Sequence, residues 1–112
     1  MIDNHEQVER LVAKLRESLP LSAMLTSQLA ALVREERPGI SVPPACPITR
    51  VDYAGDEGGI MCRLEIGSED ESAVFYVSIT HLAFDRRLPL AREIAAYQKH
   101  RIKRIRFISR AA

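Results

Sequence analysis

A period of two runs through residues 60–66: Ile60, Cys62, Leu64 and Ile66 fall on one side, Met61, Arg63 and Glu65 on the other. Such alternation marks a half-buried strand. Residues 67–72, GSEDES, are polar and charged and predict a turn. Residues 73–80, AVFYVSIT, are rich in β-branched and aromatic types and predict the returning strand. Matching the apolar faces sets Ile66 against Ala73, Leu64 against Phe75, Cys62 against Val77 and Ile60 against Ile79, with His81 opposite Gly58. A slip of one residue would turn every side chain over, so the register is narrowly set. Ile48 to Ala54 predicts a preceding strand, with Val51 and Tyr53 inward and Arg50 and Asp52 outward. The glycine-permitted turn Gly55–Gly59 joins it to the next strand. Three antiparallel strands therefore form a meander over residues 48–84.

Upstream the period changes. Val8, Leu11, Val12, Leu15 and Leu19 recur at helical spacing after Asn4 and Gln7, which suit a capping box. Pro20 breaks that helix. Ser22 is placed to cap a second one, with the stripe Leu21, Met24, Leu25, Leu29, Leu32 and Val33, closed by Pro38-Gly39. Residues 1–37 thus predict a helical hairpin whose stripes face a core. Residues 38–47, carrying ISVPPACP, predict an extended proline-rich connector. Residues 82–87 should leave the sheet, and Pro89 should open a helix within residues 86–112 that runs to about Arg104. The tail RIRFISR also alternates, so a fourth strand is the alternative there. The expectation is one α+β domain over residues 1–112, helices layered on a sheet.

Composition changes this picture little. With 112 residues, 46% hydrophobic and 28% charged, the chain matches an ordinary globular domain that needs no disulfides. Cys46 and Cys62 are too few for a disulfide scaffold, and a reducing, cytoplasmic setting is the default. With Asp3, Glu6, Glu9 and Arg10 near the start, no signal peptide is expected. The longest uncharged run, Ser18–Val33, has 16 residues and includes Pro20. A bilayer span takes about 20 apolar residues, so no membrane role is expected.

The layout of charge is more informative. Residues 1–37 carry five basic and six acidic groups, net −1; residues 38–85 carry two and eight, net −6; residues 86–112 carry nine and one, net +8. A strongly basic end points to a polyanionic partner.

Candidate chemistry is sparse. Cys46, Cys62, His81 and His100 lack zinc-ligand spacing, and no metal or cofactor is expected. The Gly55–Gly59 turn carries Asp56 and Glu57 and lacks a following Lys-Ser/Thr, so it is no phosphate loop. Three constellations remain. Lys99, Lys103, Arg106 and Arg110 share a helix face, widened by Arg101 and Arg104; they suit phosphates of nucleic acid, or an acidic protein surface. Arg50 opposite Arg63, with Tyr76 next across, suits an anion flanked by an aromatic ring; its plainer reading is a salt-bridged outer face with Asp52 and Glu65. His81, at the rim near Tyr53, Asp56 and Glu57, suits a general acid or base; its plainer reading is a strand-end cap. The leading expectation is a small non-enzymatic accessory protein that binds nucleic acid through its basic end. A dimerisation module, using the sheet's two open edges or the opposed charges, and a small enzyme centred on His81 are the alternatives.

Overall fold

The structure, a computed structural model, describes residues 5–67 and 72–111, and their side chains except at 56, 57, 72 and 103–111. It is α+β. Helix α1, His5–Glu17, buries Val8, Leu11, Val12 and Leu15, as its spacing predicts. The expected helical hairpin then gives way. Leu21–Leu25 is a strand, β1, and helix α2 spans only Ser27–Glu36. Leu21 and Ala23 are buried while Ser22 and Met24 are exposed, which is the period of a strand. The cap is Thr26 instead of Ser22: its side-chain oxygen accepts from the Leu29 amide at 3.3 Å. A five-residue run, LSAML, is too short to declare its period, and pairing with the next strand decides it. Leu32, assigned to the buried stripe, is 56% exposed.

Strand β2, Cys46–Tyr53, begins two residues before the expected start at Ile48. The Gly55–Gly59 turn is built around a single helical turn, α3, Gly55–Gly58. Strands β3, Ile60–Gly67, and β4, Ser72–Ser78, pair in the expected register from Ile66↔Ala73 to Cys62↔Val77. Beyond Met61↔Ser78 the expectation fails. Ile79–His81 wind into a 3-10 turn, started by Ser78 Oγ accepting from the Thr80 amide at 3.3 Å. Neither Ile60↔Ile79 nor Gly58↔His81 forms a ladder pair. The chain does not leave the sheet there either. Leu82–Ala83 forms β5 and pairs with Leu25 and Met24 of β1. Helix α4 runs Ala91–Ala111, so the tail is helical and not a fourth strand.

The meander is thus extended to five antiparallel strands in the order β4-β3-β2-β1-β5. β4 and β5 lie at opposite ends of that order yet are joined by three residues. Four spacings in a flat sheet would separate them by about 19 Å. Four extended residues reach at most about 14 Å. The sheet therefore curls, and its apolar side closes around Ile48, Val51, Ile60, Cys62, Leu64, Ile66 and Ile79, all buried.

Strand β2 keeps its apolar side inward by a bulge. Ile48 and Val51 are both buried although they stand three apart, which plain alternation forbids. The pairing passes from Ile48↔Leu64 to Arg50↔Arg63 and leaves Thr49 over. The extra residue resets the phase, so Thr49 and Arg50 both take the outer side.

Cys46 and Cys62 are both free and fully buried. Burial pushes the Cys62 thiol up from its ordinary 9.0 to about 12, and raises Cys46 in the same direction. A thiol held protonated is a poor nucleophile. Native protein should therefore react with a thiol reagent only as fast as it opens. Stopped-flow labelling with and without urea checks this; rapid native modification of Cys62 would contradict it. The raised value means that the unfolded chain loses its thiol proton first. Cys62 should leave stability unchanged below pH 9.0 and lower it progressively as pH rises toward about 12, read from urea melts across that range.

Candidate functional site

Helix α4 is seated by three side chains at steps of three and four. Ile94, Tyr97 and Arg101 are 1%, 9% and 2% exposed. Tyr97 Oη accepts the Ile60 amide at 3.1 Å, which satisfies the first N–H of β3. Glycine at 59 makes this approach possible. A Cβ there would lie 2.6 Å from Arg101 Cζ and Nε and 2.7 Å from Tyr97 Oη, and φ is +67°. Gln98, which interrupts the apolar side of the helix, donates its amide to the Ile79 and Leu82 carbonyls, each at 2.7 Å. It ties α4 to the turn that curls the sheet.

This seat corrects the reading of Arg101. It is a buried, partnered anchor and takes no part in an exposed basic face. Lys99 is exposed, as are Arg92 and His100. The side chains of Lys103, Arg104, Arg106 and Arg110 lie outside the described residues. Their backbone is helical, and positions 99, 103, 106 and 110 fall on one side of it. Those 11 steps span about 16 Å at a rise of about 1.5 Å each.

A groove of about 570 Å³ lies between α1 and α4, lined among others by Val8, Leu11, Lys14, Glu93, Tyr97 and His100. Lys14 Nζ bridges the two helices to Glu93, 2.9 Å from Oε1 and 3.2 Å from Oε2. Sequence reasoning missed it, since no spacing rule relates α1 to α4. Both partners are about half exposed, so the pair contributes little, about 0–1 kcal/mol.

The outer face of the sheet carries the expected row: Arg50 pairs with Arg63, and Arg63 with Tyr76. Asp52 is shared by two arginines, Oδ2 lying 2.8 Å from Arg50 Nε and Oδ1 3.5 Å from Arg16 Nη2. Arg16 Nε also donates to the Val51 carbonyl at 3.0 Å, where β1 no longer accompanies β2. The salt-bridged reading therefore holds for Arg50 and not for Arg63. Glu65 makes no ion pair with Arg63. Among the described residues two buried side-chain polar atoms lack a hydrogen-bond partner, Thr49 Oγ1 and Arg63 Nε. Thr49 was missed by sequence reasoning. Its signal was available: two apolar positions three apart, Ile48 and Val51, inside a strand of period two.

His81 sits exposed on the 3-10 turn, and its carbonyl accepts from the Thr26 amide at 3.4 Å. Its side chain has no hydrogen bond or ion pair among the described residues. Tyr53, expected beside it, instead meets the His5 ring edge-on at 6.2 Å. Asp56 and Glu57, also expected there, have side chains outside the described ones. No group of three His, Cys, Asp or Glu suited to a metal occurs among the described residues. Nor is any helix among them long and apolar enough to cross a membrane.

No family model, curated protein or solved structure matches the chain.

The seat of α4 has a direct test. Gly59→Ala forces a Cβ into Arg101 and Tyr97 at a left-handed φ. Overpacking of this kind costs about 1–3 kcal/mol, so the urea midpoint should fall while the slope stays constant. A midpoint unchanged from the parent would show that the clasp yields without cost.

Proposed function

We propose that the protein is a small accessory protein, without a catalytic role, that binds nucleic acid through the second half of α4. The observation that carries this reading is the continuous helix to Ala111, which puts positions 99, 103, 106 and 110 on one side. Residues 86–112 carry nine basic groups against one acidic, and the helix sets several of these in a row along about 16 Å. A row of that kind tracks phosphates and reads no bases. Lys99 is exposed in support of it, and the burial of Arg101 narrows the row to one side of the helix.

A second reading, a homodimer, is favoured by β4. It is a seven-residue strand at the sheet edge, and Val74 and Tyr76 on its outer face are 46% and 57% exposed.

If four basic positions meet duplex DNA, log affinity should fall against log salt with a slope of about −3.6, from about −0.9 per contact. Neutralising Lys103 and Arg106 together should flatten the slope by about 2 units and weaken all sequences alike. A polarisation salt series measures both. Absence of binding to DNA and RNA at low salt would end this reading. Sedimentation of the same proteins reads the dimer: a monomer at every concentration would remove the second.

A further inference from the structure

We infer that the bulge in β2 and the row beside it form a binding site for a phosphate-bearing group with a planar ring, the chemistry of a nucleotide. The site lies on the outer face of the sheet and stands independently of the reading of α4.

Two unsatisfied atoms mark the place. Thr49 Oγ1 and Arg63 Nε are both buried from solvent and both without a hydrogen-bond partner among the described residues. Each such group carries a desolvation cost and calls for an explanation. They are not scattered. The bulge makes Thr49 and Arg50 jointly oppose Arg63, so Thr49 and Arg63 are neighbouring residues on one face. A β-bulge that re-aims side chains is a frequent neighbour of functional sites.

Charge at this spot favours an anion. Arg16, Arg50 and Arg63 supply three cations, Asp52 and Glu65 two carboxylates. Both oxygens of Asp52 are already taken by Arg16 and Arg50. Glu65 is exposed and lies two residues from Arg63 along β3 without pairing to it. Among the described residues Arg63 therefore has no carboxylate partner, and it stands beside a second arginine. A guanidinium next to a hydroxyl donor suits tetrahedral oxygens, because the planar fork and the rotatable O–H reach different oxygens of one phosphate.

Tyr76 supplies the ring-binding half. It pairs directly with Arg63 on the neighbouring strand and is 57% exposed. An exposed aromatic on a sheet, next to an arginine, is a platform on which a base stacks while its phosphate is held. Thr49 and Arg63 would hold the phosphate and Tyr76 the base.

The test is calorimetric titration of the full chain with adenosine 5′-monophosphate, inorganic phosphate and adenosine, at low ionic strength. The nucleotide should bind more tightly than phosphate or nucleoside. Arg63→Ala should weaken nucleotide and phosphate alike by about ten- to a hundredfold, the range of a charge-assisted hydrogen bond. Arg63→Lys, which keeps the charge and loses the Nε donor, should weaken both by a smaller factor. Thr49→Val, similar in shape, should also weaken both. Tyr76→Ala should lower nucleotide affinity by about five- to a hundredfold, the range of base stacking, and leave phosphate untouched. Circular dichroism on each variant shows that it folds. A trinucleotide offered to the Lys103/Arg106-neutralised protein identifies the source. Tighter binding than the mononucleotide means a strand, equal binding a free nucleotide, and either supports the site. No binding of nucleotide or phosphate at millimolar concentration overturns the inference. So does binding that Arg63→Ala and Arg63→Lys leave unchanged.

Discussion

The three-residue turn at Ile79–His81 is the constraint on which the architecture rests. It forces two strands from opposite ends of the sheet order to stand within a short reach of each other. A flat sheet cannot meet that demand. Curling meets it and also gives the apolar face an inside. Polar atoms secure the turn. Ser78 starts it, and Gln98 on α4 holds the Ile79 and Leu82 carbonyls, at its first residue and just after its last. The helix is thereby coupled to the curl, and Tyr97 couples it again to the first amide of β3. These contacts are few, but each satisfies a backbone group that water does not reach easily, which is where a hydrogen bond matters most.

What was legible in the sequence followed the strength of each period. The β3–β4 register could be read because six or more residues alternate and a slip would invert the faces. Even the opposition of Arg50 and Arg63 was legible, because Tyr53 and Ile60 flank a short turn. Leu21–Leu25 was not. Its five residues suit either period, and its choice is made by Ile48 and Cys46, more than 20 residues away in sequence. The 3-10 turn was hidden because Ile79 continues the apolar alternation of β4 into a segment that has left the ladder. At the candidate sites, spacing found Arg50, Arg63 and Tyr76. It could not find Thr49, whose outward placement depends on a phase break. It misjudged Arg101, since a helical wheel ranks arginine as outward. Its burial and its close approach to Gly59 show that position 101 continues the inward row from Ile94.

Arg101 also changes how the charge of the C-terminal segment is understood. A count of nine basic groups treats them as equivalent. Burial makes one of them, Arg101, part of the foundation of the helix. Desolvating a guanidinium is costly unless it is partnered, and Arg101 is partnered at its inward position.

The bulge at Thr49 has a consequence of a different kind. Omit that one residue in thought and β2 becomes a regular ladder. Ile48 still meets Leu64, Arg50 still meets Arg63, and every apolar side chain keeps its side. The core has no use for Thr49. Interior and exterior are therefore separable modules at this point in the strand. The inside is specified by the alternation on either side of the bulge, and the outside by what the extra residue adds. The chemistry of the outer surface can be redrawn there, by substitution or by length, while the interior follows the same packing instructions.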